Sequence, residues 1–592
     1  MPATRTLTIV AIVIGAVDCQ QAKVPPASSG ETGANAVLER LATAVHEREI
    51  AASLSLSLKH RRPIEALADI SIGRDRRDSA FAVAMLDSLG VLPREGLGSV
   101  DLASAEVLEW GLRNATEAPK YHHLSFGFIT PYQSPLTNDL LALGRELPLD
   151  TSEDRARFLA RLGEGSRLMD SVLAELAARA ELGIRLPKPE IGQIVSGLRA
   201  LSRPGLTSPF APRTERLSSI PDSVRPSFQT AVVKIIDDGI NPSLARVVAA
   251  LGGEYLRKAP TEVGLMQYPG GEEYYRHLVK VNTTLAVPPE EIHQIGLREL
   301  ARLEAGMDSI QQALGFRGTR KQFQDQLRAD PRFKAKTPED VGARYQKFYD
   351  AIKPLLPQLF SKMPKAPAEF RRLNPALEAA STYGYYAVPT PATPVGIYYY
   401  NASNLANRSL FSVGPIAFHE LAPGHHFQAA IADESAELPA FRKDFYSNAF
   451  GEGWAEYAAG LAGELGLYAD PYDRYARLVD QAFLSNRLVV DPGMNLLGWS
   501  RAKAIQFFRE HTMAAESEIA SETLRYSVDL PGQALGYRMG ELEFLRLREK
   551  AKEALGAKFD IRQWHDLLLE GGNLPMAVLG RSVDRWIASQ KP

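Results

Sequence analysis

Apolar residues recur at three- and four-residue steps along most of the chain, the spacing that gathers them on one face of a helix. The pattern is clearest from about Val37 to Leu182, as in "SEDRARFLARLGEGSRLMDSVLAELAARAELG", where Ser152 stands to cap the first turn and Gly183 to stop the last. In "PEEIHQIGLRELARLEAGMDSIQQALG" proline comes early and glycine late, again the punctuation of a helix. One region departs from this. "STYGYYAVPTPATPVGIYYYN", Ser381 to Asn401, is aromatic and β-favouring and is split by prolines into two short runs, which predicts a small sheet or hairpin. Such a pair either packs as core or offers an edge along which a peptide can lie. No repeat or long linker follows residue 36, so the pattern predicts one mainly helical body, residues 37–592. Two lobes around a cleft are expected, about 37–300 and 301–592.

The first 36 residues read differently. One arginine precedes an apolar run from Leu7 to Val17, too short to cross a bilayer as a helix, and a stretch rich in Pro, Ser and Gly follows. This predicts an export signal and a flexible linker. Cys19, the only cysteine, stands just after the run, where a bacterial lipoprotein carries its lipid, although Asp18 is not the small residue such a cleavage site favours. The expected location is the periplasm, free or anchored at the outer membrane through Cys19. One cysteine allows no disulfide within the chain. With 68 basic against 70 acidic side chains, composition offers no field for nucleic acid, and function has to be read from a site.

That site is "FHELAPGHHFQ", Phe418 to Gln428. Three of the 11 histidines fall within eight residues, beside Glu420 and behind the hydrophobic lead-in "SVGPIAF". Zinc-binding histidines on a helix normally sit four residues apart. On an unbroken helix His419 and His425 would lie about 240° apart, while His426 would return to the right face about 10 Å further along the axis. Pro423 removes an amide and crowds the preceding turn, and Gly424 tolerates backbone angles that other residues avoid. A bulge or widened turn there is expected to absorb the two extra residues. His419 and His425 then read as the metal pair, with His426 against substrate or behind a ligand; exchanging His425 and His426 is the alternative. A catalytic zinc needs a third protein ligand and one open position. "NAFGEGWAEYAAGLAGELG" reads as a buried helix, from Phe450, Trp454 and Tyr457, with Glu452 and Glu456 one turn apart on one side. One can bind metal and the other can orient an imidazole through its free nitrogen.

Taken together, "FHELAPGHHFQ", "GEGWAEY", "PGQALGYRMGE" and "FDIRQWHDLLLEGGNLPMAVL" resemble the bacterial family catalogued as domain of unknown function 885, from about residue 37 to the C-terminus. That family resembles a branch of the gluzincins, zinc peptidases with a His, His, Glu metal set. The resemblance implies a mainly α, two-lobed gluzincin-like scaffold with a small β-sheet next to the active-site helix. It implies His419, His425 and Glu452 as ligands of one Zn2+, Glu420 as general base and Glu456 as the acidic residue one turn beyond the third ligand. Tyr537, in "PGQALGYRMGELEFLRL", matches a late-helix tyrosine that donates to the oxyanion, with His511 a weaker candidate. A substrate carboxylate would need a cation, Arg538 or Arg525, both of which also fit structural ion pairs. His122 and His123 fit a satisfied pair better than a cleft wall. The expected function is an exported zinc metallopeptidase of carboxypeptidase, dipeptidase or oligopeptidase type acting on short peptides. The alternatives are a peptide-binding lipoprotein without turnover and a zinc hydrolase of another amide or ester.

Overall fold

The computed structural model describes residues 33–590 except 132, 379–383, 391–392 and 406–407. The expected export signal and Cys19 lie outside the described residues. Helices account for most of the chain, as the periodicity predicts, and the first begins at Ala34, inside the segment expected as linker. Two boundaries show the local chemistry. The Ser152–Glu181 helix is capped by Thr151 rather than Ser152: the Thr151 hydroxyl accepts from the Asp154 N–H and the Asp154 carboxylate accepts from the Thr151 N–H. That reciprocal bond needs an acceptor three residues on, which Thr151 has in Asp154 and Ser152, facing Arg155, lacks. Gly183, at φ 78°, ends the same chain segment as expected.

The aromatic stretch forms two of three strands. β1 (Ala368–Arg372) runs parallel to β3 (Gly396–Tyr400), and β2 (Gly384–Ala387) runs antiparallel to β3, giving the order β1-β3-β2. Ser381 to Tyr383, at the start of the expected hairpin, lie outside the described residues. β3 is central and buried, with Ile397 and Tyr398 each 1% exposed. β2 pairs with β3 alone among the described residues. β1 went unread in the sequence because three of the five residues of "AEFRR" are charged, a composition suited to an edge strand.

Two large apolar cores carry the body. One joins residues 38–112 of the first helices to residues 335–468 and 544–587; the other joins residues 64–292 to residues 488–539. Each core thus joins early and late parts of the chain. No helix among the described residues is long and apolar enough to cross a membrane.

One helix crossing sets the position of the site. The Asn448–Glu464 helix is apolar on nearly every side, with Phe450 and Trp454 fully buried and Tyr457 2% exposed. It crosses the Leu535–Leu555 helix at a pair of glycines. A Cβ on Gly453 would come within 2.5 Å of the Gly540 Cα, and one on Gly540 within 2.0 Å of the Ala449 carbonyl oxygen. The backbones therefore meet where any side chain would hold them apart. Tyr537, one turn before Gly540, is brought by that contact to the level of Glu452.

Candidate metal centre

The histidine segment is two helices and not one. Val413–Glu420 ends with His419 and Glu420 in its last turn; Leu421 leaves the helix, the Ala422–Pro423 bond is cis, and a second helix, His425–Glu434, begins on His425. The expected bulge in a continuous helix is corrected to a full break. Gly424 lets the chain fold back on the first helix: a Cβ there would stand 1.7 Å from the His419 carbonyl oxygen and 2.6 Å from that of Phe418. The Trp454 indole N–H donates to the Pro423 and Gly424 carbonyls, at 3.0 and 3.2 Å. The turn is thus tied to the helix that carries Glu452.

The break turns His425 back toward His419, with ring centroids 4.7 Å apart and planes at 88°. Glu452 Oε2 lies 3.6 Å from His419 Nε2 and 3.4 Å from His425 Nε2. Ligand atoms arranged tetrahedrally about zinc at 2.0–2.1 Å stand about 3.3 Å apart, so these separations suit a shared ion better than direct hydrogen bonds. Behind His419, Nδ1 lies 2.8 Å from Glu456 Oε1. A carboxylate there holds the proton on Nδ1 and leaves Nε2 free to face Glu452. Glu456 in turn accepts from Arg477 at 2.6 Å, Arg477 donates to Glu541 at 2.9 Å, and Arg538 pairs with Glu541 and Glu299.

The field in this cluster is negative. Burial works against charge on His419, yet Glu452 and Glu456 outweigh it and hold its pKa well above the ordinary histidine value. Burial likewise opposes charge on Glu452, but His419 and His425 keep it far below the usual carboxylate range. An environment that favours an imidazolium so strongly also favours a divalent cation. Enclosure pushes Glu420 upward, with the two histidines pulling the other way. Glu420, His419, His425, Glu452, Tyr386, Tyr446 and Tyr537 all line one cavity of about 520 Å³.

A family model described as "Bacterial protein of unknown function (DUF885)" matches residues 53–583. The chain belongs to the DUF885 family. Among solved structures, it is similar to a protein from Colwellia psychrerythraea described as a lipoprotein, at 26% identity and TM-score 0.86, over 94% of this chain and 100% of that one. It is also similar in fold to a protein from Shewanella oneidensis described as a lipoprotein of unknown function, at 17% identity and TM-score 0.69, over 92% and 99% of the two chains. No curated protein matches.

Within this DUF885 chain two further clusters bring histidines and carboxylates together, and both differ from the first. His46 and His60 approach the same Asp444 oxygen at 2.7 and 2.5 Å, while Lys59 holds the other oxygen at 2.6 Å. His122 bridges Asp75 at 2.7 Å and Glu175 at 3.0 Å, with Arg179 on the same glutamate. These are hydrogen-bond distances, and Asp444 and Glu175 already have a cation in Lys59 and Arg179. His122 is satisfied as the sequence suggested, whereas His123 Nδ1 has no hydrogen-bond partner among the described residues.

The remaining predicted residues fall into place by their contacts. Tyr537 lies parallel to His419, centroids 6.4 Å apart, under the Arg487 guanidinium at 4.7 Å. His426 is 2% exposed and bonds Tyr386 and the Ala366 carbonyl, so it stands behind the cavity wall and not against substrate. Arg538, 1% exposed and paired with two glutamates, forms the structural ion pair the sequence also allowed and closes the chain behind Glu456. Arg525 bonds Glu522 and Gln533, and His511 bonds Glu304 away from the cavity. Three residues went unread. Tyr446 donates to Glu452 Oε1 at 3.1 Å, Tyr386 lines the cavity from β2, and Arg477 anchors Glu456. Only Tyr386 had a signal, its place in the aromatic stretch just before the histidines.

The chain behind His419 yields a prediction. Glu456→Ala removes the acceptor that orients the imidazole, while Arg477 keeps Asp480 and Glu541 as partners, so zinc affinity is expected to fall about 10- to 100-fold without a stranded charge. Competition with a chromogenic chelator measures this, and an unchanged affinity would give Glu456 no part in the site.

Proposed function

We propose that the protein is an exported zinc metallopeptidase that hydrolyses short peptides, on a gluzincin-like helical scaffold whose two lobes flank the cavity. The observation that carries this reading is the convergence of His419, His425 and Glu452 at ion-sized separations, with Glu420 on the next residue of the chain and Glu456 behind His419. His419, His425 and Glu452 would hold the ion, which when bound supplies Lewis acidity and makes water a nucleophile near neutral pH. Glu420 accepts the proton of the attacking water and later delivers it to the leaving amine. The Tyr537 hydroxyl makes no hydrogen bond to the described residues and is free to donate to the oxygen on which charge develops. Gly384 to Tyr386 of β2, an edge strand of the sheet, line the cavity, which suits pairing of an extended peptide with that strand. A cavity of about 520 Å³ suits a few residues and excludes a folded protein.

Export is supported by the leader pattern from Leu7 to Val17 and by the lipoprotein description of the Colwellia psychrerythraea relative, and Cys19 is the residue that would carry a lipid. The same description fits a peptide-binding lipoprotein without turnover. Glu420 favours the enzyme, since a binding module has no use for a carboxylate beside the ligand set.

The test is metal analysis of the purified protein paired with a screen of dipeptides, tripeptides and simple esters. One equivalent of zinc is expected, with peptide hydrolysis that a chelator abolishes and zinc restores. Full activity after complete metal removal would end the proposal, and cleavage of esters alone would move the substrate class.

A further inference from the structure

We propose that the Gln428 side-chain amide hydrogen-bonds the peptide unit of the substrate next to the scissile one, so that the enzyme requires at least a tripeptide. This deepens the peptidase reading above and rests on it. Gln428 stands one turn beyond His425 on the helix His425–Glu434, and its own N–H closes the first turn on the Gly424 carbonyl at 3.2 Å. Side chains three residues apart on a helix have Cβ atoms about 5–6 Å from each other, so the break that aims His425 at Glu452 carries Gln428 with it. Gln428 lines the cavity and is 4% exposed, yet its amide makes no hydrogen bond to the described residues. Neither the amide oxygen nor the amide nitrogen is among the enclosed polar atoms that lack a partner, so the little surface Gln428 keeps includes both. For a side chain this deep, that surface opens into the cavity it lines. An amide brings two donors and an acceptor, and the fold leaves all of them unused.

The chemistry of the site narrows what can use them. Under the peptidase reading the scissile oxygen is met by the ion and Tyr537, and the scissile nitrogen by Glu420. The nearest peptide groups still unpaired are those of the flanking unit, one residue or about 3.5 Å along an extended chain. A peptide unit has one donor and one acceptor, which a carboxamide matches. A charged terminus would find no counter-charge at Gln428. From His425 to Asp433 this helix lines the cavity with Gln428, Ala429, Ala430 and Ala432, all neutral. Charge is first met at Asp433, whose carbonyl also holds the Lys443 ammonium at 2.7 Å. Eight residues of helix put Asp433 about 12 Å along the axis from His425, the span of about three extended peptide residues. The cavity is therefore longer than a dipeptide, neutral beside the centre and charged where a terminus would arrive.

The experiment compares zinc-loaded wild type and Gln428→Met on a tripeptide and on an analogue whose uncleaved peptide bond is replaced by two methylene groups. Wild type is expected to lose about tenfold in kcat/KM on the analogue, the worth of the hydrogen bonds removed. Gln428→Met should lose about tenfold on the tripeptide and stay within about twofold of wild type on the analogue. Equal losses by the variant on both substrates, or a wild type that cleaves dipeptides as fast as tripeptides, would overturn the role of Gln428 and leave the peptidase reading intact. A wild type that cleaves no peptide would overturn both. Melting temperature gives a readout without activity. Methionine matches glutamine in length, and the amide it replaces has no partner in the fold, so Gln428→Met is expected to melt at or above wild type. A lowered melting temperature would show that the amide serves the fold and would overturn the proposal.

Discussion

Glu420→Gln is expected to keep its zinc and lose hydrolysis, with kcat lowered by about 10²- to 10⁴-fold, the usual range for removing a positioned general base. The substitution conserves volume and hydrogen-bonding shape while removing the capacity to take a proton. Glu420 does not contribute to the three converging ligand atoms, which come from His419, His425 and Glu452. Metal content and melting temperature should therefore match wild type, so a lost rate cannot be traced to a lost ion or a lost fold. The result separates the competing functions. A peptide-binding protein would bind as before and show no rate to lose. An enzyme using Glu420 would still bind peptide, with KM little changed, and would stall at the chemical step. Hydrolysis at the wild-type rate by the zinc-loaded variant would show that another group moves the proton, and the mechanism would fall.

Much of the centre was legible because its chemistry demands rare residue types. Histidines beside a glutamate, followed by a helix with two carboxylates one turn apart, announce themselves whatever the fold. Pro423 and Gly424 signalled that the helix could not continue, yet not how it ended: a break fixed by Trp454 from another helix depends on tertiary contact that no local pattern carries. The same limit hid Arg477 and Tyr446. Neither stands in a motif, and each reaches the site because the Asn448–Glu464 helix is pinned by its crossing at Gly453 and Gly540. The sharing of each core between early and late parts of the chain was hidden for a related reason. Periodicity reports which face of a helix is apolar but not which partner covers it, and the helices of residues 38–112 find theirs beyond residue 335.

His419→Ala, Glu452→Ala and His425→Ala are each expected to lose stoichiometric zinc, whereas His426→Gln keeps it. Removing one of three protein ligands should weaken binding by more than the 10- to 100-fold cost of losing a partner behind a ligand. The three need not behave alike in the folded state. His419→Ala leaves Glu456 with Arg477, a pair already bonded at 2.6 Å, so the buried carboxylate stays compensated and the fold should persist. Glu452→Ala removes the one carboxylate between two imidazoles and relieves Tyr446 of its acceptor, again without stranding a charge. Loss of metal from these variants would therefore report ligation and not unfolding, which circular dichroism and melting curves can verify. The contrast of His425 with His426 is the sharper arm. Sequence spacing left either able to serve, but the second helix begins on His425 and turns it toward Glu452, while His426 points behind the wall to Ala366 and Tyr386. Zinc retained by His425→Ala and lost from His426→Gln would mean that the break at Pro423 steers the other imidazole to the ion, and the site as described here would have to be rebuilt around it.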